Sequence, residues 1–219
     1  MRQLQPGQEQ ERRGVSPRER PILFSAPMIR ALLEGRKSQT RRIMKPQPHW
    51  SGSAFGIPGL INGRTGFYAN TEKGFAEDVQ RSAIKCPYGV PGDRLWVRET
   101  FGAINREGDP IRPHEGCGIV YRADIPGRGD PGDTWRPSIF MPRWASRILL
   151  EITDVRVQRV QEITEEDAKD EGVDPIKCRV PSHKDAFLAL FYDLNKRAPR
   201  TENPWVWVIS FRRIPCPPR

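Results

Sequence analysis

The chain has 219 residues, 37% of them hydrophobic, which suits one domain with a real core and some decoration and excludes two large domains. Its 36 Lys and Arg against 27 Asp and Glu give a formal net charge of +9, a balance that favours anionic partners such as nucleotides or nucleic acid. Four scattered cysteines without a Cys-x-x-Cys pair suggest neither a disulfide framework nor a zinc ribbon, but reduced and mostly buried thiols.

Residues 1–20 are rich in Gln, Glu and Arg and poor in large apolar side chains, so they read as a flexible tail. Order is expected from Pro21-Ile22-Leu23-Phe24, a short strand. Ser25 with Pro27 then marks a helix start, and Ile29, Leu32 and Leu33 form its buried stripe. Gly35 ends this helix and opens the densest stretch of the sequence, Gly35-Arg36-Lys37-Ser38-Gln39-Thr40-Arg41-Arg42. An amine, a threonine hydroxyl and three guanidinium groups crowd together here before apolar Ile43-Met44.

With a turn at Gly35 and a strand from Thr40, Lys37 and Thr40 can face one cavity, and Arg42 shares the face of Thr40. A lysine held partly out of water sheds its proton more easily and can accept one from a neighbouring threonine. A solvated basic turn that grips phosphate accounts for the same composition.

Residues 45–85 are loop-like, broken by Pro46, Pro48, Pro58 and several glycines, with a short strand at Gly66-Phe67-Tyr68-Ala69. Trp50, Phe55, Phe67 and Tyr68 offer surfaces for stacking on a base or for pinning the loop. After a turn-dense run to Asp93, a strand over 94–101 alternates Leu95, Val97 and Glu99 with Trp96, Arg98 and Thr100. Glu99 is then an inward carboxylate that needs Lys37 or an arginine as partner. Residues 102–140 form a second long insertion with one strand at 118–123.

A long bent strand is expected over 147–163, with the bend near Asp154. Thr164-Glu165-Glu166-Asp167 opens a helix whose acidic first turn answers the helix dipole. Glu171, at its other end, opposes that dipole. Ser182 with Asp185 opens the last helix, striped by Phe187, Leu190, Phe191 and Leu194, a pattern typical of core. The closing strand places Trp205, Trp207, Ile209 and Phe211 on one face and Val206, Val208 and Ser210 on the other, as a central strand covered on both sides would. A mixed site of His114, Cys117, Cys178 and His183 can be drawn but lacks a tight ligand pair, and the histidines read as surface polarity.

Gly35-x-Lys37-x-x-Thr40-x-Arg42 resembles the G-x-K-x-x-T-x-R signature of the ASCH domain family, related to the PUA domains. Pro91-Gly92-Asp93-Arg94-Leu95-Trp96-Val97 and the closing Pro204-Trp205-Val206-Trp207-Val208-Ile209 extend the resemblance. It implies an α+β, PUA-like fold, a small mixed β-barrel flanked by helices. The single domain would span 21–214, with insertions at about 45–85 and 102–140 and a tail at 215–219.

The resemblance to the bacterial acetylcytidine amidohydrolases of this group implies catalysis by Lys37, Thr40 and Glu171, with Glu166 and Glu165 as alternatives to Glu171. Arg42, Arg36 and Glu99 are the expected substrate-binding residues. The lysine supplies the activation, so neither metal nor cofactor is called for. A nucleoside or nucleotide is the expected substrate. The alternative is an RNA- or nucleotide-binding module with ribonuclease activity as a variant. Without an apolar membrane span or an apolar N-terminal segment, a cytoplasmic protein is expected, and the likeness extends to ASCH proteins of phages and prophages.

Overall fold

The computed structural model describes residues 16–45, 47, 56–61, 64–69, 85–105, 107, 111–114, 116–125, 135–196 and 200–216, with 56–61 and 64–69 described by backbone alone. It is a mixed α+β domain. Strand β1 (Glu19–Leu23) begins two residues before the expected Pro21 and leads into helix α1 (Ala26–Leu33), which starts at Ser25 and Pro27 as its sequence demands. Strands β2 (Gln39–Ile43), β5 (Arg94–Arg98), β8 (Leu149–Arg159) and β9 (Trp205–Ile214) complete the main sheet, in the order β1-β5-β8-β9-β2. β1 runs parallel to β5 and every other neighbour is antiparallel.

β9 is the two-faced strand its sequence predicts. Trp207, Ile209 and Phe211 join a core with Leu95, Val97 and Ile152, while Val206 and Val208 face the second core of Val160, Ile163, Phe187 and Phe191. The bend expected near Asp154 is a register shift in β8 between Ile152 and Asp154. It lets one long strand serve both ends of the sheet.

In place of the small barrel, the described ladders form an open sheet with β1 and β2 as its edges. The edges still approach one another. Arg42 Nη2 donates to the Leu23 carbonyl at 2.6 Å, and the Phe24 ring lies 5.3 Å from the Arg42 guanidinium.

Both insertions carry more regular structure than their composition suggests. Strands β3 (Gly56–Ile61) and β4 (Arg64–Ala69) form a hairpin in which Pro58 pairs with Phe67. Proline is tolerated in a two-stranded ribbon because it has a free side toward which its missing N–H can point. The strand expected over 94–101 breaks after Arg98 and resumes as β6 (Phe101–Ile104), which pairs with β7 (Gly118–Tyr121). The side chains of Trp50, Phe55, Phe67 and Tyr68 lie outside the described residues.

Three more helices follow: α2 (Glu165–Asp170), α3 (Pro175–Cys178) and α4 (His183–Leu194). Thr164 and Ser182 cap α2 and α4 by accepting from the amides of Asp167 and Asp185. α4 packs on the β2 side of the sheet, through Phe187 and Phe191. Among the described residues no helix is long and apolar enough to cross a membrane. The cysteines, expected to be mostly buried, are half-exposed at 86, 117 and 216 and exposed at 178. Partial burial still pushes the Cys86 thiol up to about 11.

Candidate functional site

The site is built where α1 turns into β2. Gly35 adopts φ +74°, which lets the chain reverse within three residues, and the amides of Arg36 and Lys37 both bond the Ala31 carbonyl. Lys37 is thereby held against the end of α2. Gly172, at φ +75°, makes the close approach possible, since a Cβ there would lie 2.8 Å from the Ala31 Cβ and 2.9 Å from the Lys37 Cβ. Ser38 N–H donates to the Asp170 carbonyl and ties the turn to the helix end.

Lys37, Thr40 and Glu171 all line one cavity, and Lys37 pairs with Glu171. Lys37 Nζ donates to the Glu171 carboxylate at 2.8 Å, to the Glu171 carbonyl at 2.8 Å and to the Gln39 carbonyl at 2.7 Å. All three protons are used, so the resting side chain is an ammonium. Its pKa is nevertheless lowered from its ordinary value, chiefly by burial. The attraction of Glu171 opposes this, and the charges of Arg42 and Arg41 add to it.

Glu171 is the buried C-terminal cap of α2, and its opposition to the helix dipole is answered by cations. Two cations face it, Lys37 and Arg41. Thr40 is buried at 4% exposure and lines the same cavity, and its hydroxyl has no hydrogen-bond partner among the described residues.

That cavity has a volume of about 510 Å³ and lies along the outer edge of β2. Lys37, Thr40, Arg42 and Glu171 form its polar end. Phe187, Leu190 and Phe191 of α4 form an apolar wall. The stripe on α4, expected to be core throughout, therefore divides: Phe187 and Phe191 are buried, while Leu194 is 67% exposed.

Arg42 lines the cavity and reaches from β2 to the Leu23 carbonyl, with its Nε buried and unpartnered among the described residues. Arg36 and Glu99 do not line the cavity. Arg36 is exposed and pairs with Glu34. Glu99 finds an arginine, but it is Arg147, which donates to both carboxylate oxygens at 2.9 and 3.0 Å. Burial raises the Glu99 pKa, and Arg147 works against that rise. The same guanidinium bonds Asp124 and stacks 3.9 Å from the Tyr121 ring centroid, so this cluster anchors the β6–β7 hairpin to the sheet.

Of the two alternatives to Glu171, Glu165 is occupied in capping α4 through the amides of His183 and Lys184, and Glu166 is exposed. His183 bonds Glu165, and among the described residues no group of three or more His, Cys, Asp or Glu is placed to hold a metal ion. The drawn His/Cys quartet does not assemble.

Arg41 was missed in the sequence. Fully buried, it donates to Asp167 at 2.7 Å, to Glu171 at 3.2 Å and to the Gln39 side chain at 2.6 Å. Asp167 in turn accepts from Arg156, and these two arginines hold its carboxyl below its usual range even though burial acts in the opposite direction. The available signal was spacing. Asp167 and Glu171 stand four residues apart, on one face of a helix, and so point at one partner.

No protein-family model matches this chain, and neither any curated protein nor any solved structure does. The site must be judged on its own chemistry.

Proposed function

We propose that this chain is an amidohydrolase that removes an acyl group from the exocyclic amine of a cytidine-type nucleoside, on a PUA-like fold of the ASCH kind. The observation that carries the reading is a buried lysine–carboxylate pair at the wall of a nucleoside-sized cavity, beside an unbonded threonine hydroxyl. Pockets of this volume are typical of small-molecule sites.

In this mechanism the neutral form of Lys37 takes the proton of Thr40 as its oxygen attacks the acyl carbonyl. The C=O electrons move onto oxygen, where the Arg42 guanidinium stabilises the developing charge. Collapse breaks the C–N bond, and the leaving amine takes the proton back from Lys37. Water then attacks the threonine ester as Lys37 accepts its proton, and when the C–Oγ bond breaks to release the carboxylic acid Lys37 hands that proton to the Thr40 oxygen, which restores the hydroxyl. Glu171 is a positioning residue that holds the amine on its main-chain acceptors.

The test is release of cytidine from N4-acetylcytidine by the full chain, by Thr40→Val and by Lys37→Met. The expected outcome is turnover by the parent alone. No turnover by the parent sinks the reading.

One feature favours a second reading, an RNA-binding module. Ile139 and Phe140, 54% and 64% exposed, follow Ser138, which lines the cavity, and offer apolar side chains to a neighbouring base. Binding of single-stranded RNA that weakens steeply with salt supports it, and no binding at low salt removes it.

A further inference from the structure

The β2 ladder leaves one set of polar groups that neither the fold nor the proposed chemistry uses. Phe211 N–H donates to the Ser38 carbonyl and Met44 N–H to the Trp205 carbonyl, so residues 38, 40, 42 and 44 turn their main-chain groups toward β9. Gln39, Arg41 and Ile43 must turn theirs the other way, to the free edge. The Gln39 carbonyl is taken by Lys37. The N–H and C=O groups of Arg41 and Ile43 have no partner among the described residues, and both residues line the cavity.

Unpaired main-chain groups on an edge strand are a ready-made template for a ligand that completes it. A strand from another chain is the usual occupant of a free edge. Here Phe187, Leu190 and Phe191 of α4 form the cavity wall beside this edge, and 510 Å³ accommodates a single small molecule better than a strand.

We propose that the outer edge of β2 reads the base: the Arg41 carbonyl accepts from the exocyclic N–H of a cytosine-type ring, and the Ile43 N–H donates to its N3. The choice of base rests on the hydrolase reading, and the edge itself does not. Acylation leaves one proton on the exocyclic nitrogen, so the acylated base still presents a donor beside an acceptor. Uracil has a carbonyl oxygen at that position, which would face the Arg41 carbonyl, acceptor against acceptor. Selection for cytosine over uracil therefore comes from a mismatch as much as from a fit.

Titration of the ¹⁵N-labelled full chain with cytidine, uridine and 3-deazacytidine, which lacks the N3 acceptor, tests this directly. The expected result is a downfield shift of the Ile43 amide proton with cytidine and none with the other two. Ile43→Pro deletes only this outward N–H, at an edge position where proline does not interrupt the ladder. It should weaken cytidine binding about tenfold, the worth of one lost hydrogen bond.

If acetylcytidine is turned over while the Ile43 amide stays still, the edge proposal falls and the hydrolase stands. If that amide shifts selectively with cytidine and there is no turnover, the reverse holds. Neither shift nor turnover overturns both.

Discussion

Replacing Glu171 by glutamine keeps the shape of the side chain and removes one charge from between two buried cations. The side chains of Lys37 and Arg41 are 1% and 0% exposed, and only Arg41 has a second carboxylate, Asp167. Breaking such a pair from one side typically costs ~3–5 kcal/mol. A separate bound comes from the lysine itself, which can escape the penalty by losing its proton. At pH 7, for a group whose ordinary value is 10.5, that escape costs about 5 kcal/mol at ~1.4 kcal/mol per pH unit. The two figures agree, so Glu171→Gln is expected to lose about 3–5 kcal/mol at pH 7.

The sign of the pH dependence follows from the lowered Lys37 pKa. Between its folded value and 10.5 the unfolded chain binds the extra proton, so stability from this group rises with pH. Glu171 raises the folded value, and its removal moves the lower end of that window further down. The deficit of the variant should therefore shrink as pH rises from 7 toward the folded Lys37 value of the parent and level off above it. Urea unfolding of parent and variant across that range, with equal m-values, measures it. A deficit under ~1 kcal/mol, or one that is the same at both ends, would refute the buried-pair argument, because surface pairs behave that way.

Gly172→Ala places a methyl group against two Cβ atoms that backbone packing holds in place, at a positive φ, and should cost about 2–4 kcal/mol by thermal or chemical unfolding. The turnover rate on acetylcytidine should rise with pH along a limb whose midpoint lies below 10.5. A profile flat through the alkaline range argues against Lys37 as base. Asp167, held below its ordinary 3.8 by Arg41 and Arg156, contributes stability above that value that is lost as pH falls through its folded pKa. Carbon-detected titration of its carboxyl group should show the depressed midpoint in the parent and a return toward 3.8 in Arg156→Leu.

What could be read from the residues was mostly local or self-consistent. Thr164 and Ser182 declare their caps, the alternation in β9 declares a two-faced strand, and a carboxylate at the wrong end of α2 declares that something answers it. Lys37, Thr40 and Glu171 were reached through the resemblance, and burial and distance bring them to one cavity. The Arg41 arm was hidden because its partner Asp167 lies 126 residues away and contributes equally well to the helix dipole. The sheet order, with β2 at an edge, depends on such remote pairings too, and so the wall formed by α4 looked like ordinary core. In the β3–β4 hairpin, pairing across the ribbon overrode a proline and glycines that by propensity mark loops.

Lys37 and Glu171 are 134 positions apart in the chain, and the turn that carries Lys37 is fastened to Asp170. During synthesis the lysine must wait, hydrated, until the 134 positions up to Glu171 have been added. A chain cut short before residue 171 lacks the counter-charge that lets Lys37 leave water. On the hydrolase reading, turnover should consequently return in refolding only once Lys37 and Glu171 meet, making it a reporter of that contact.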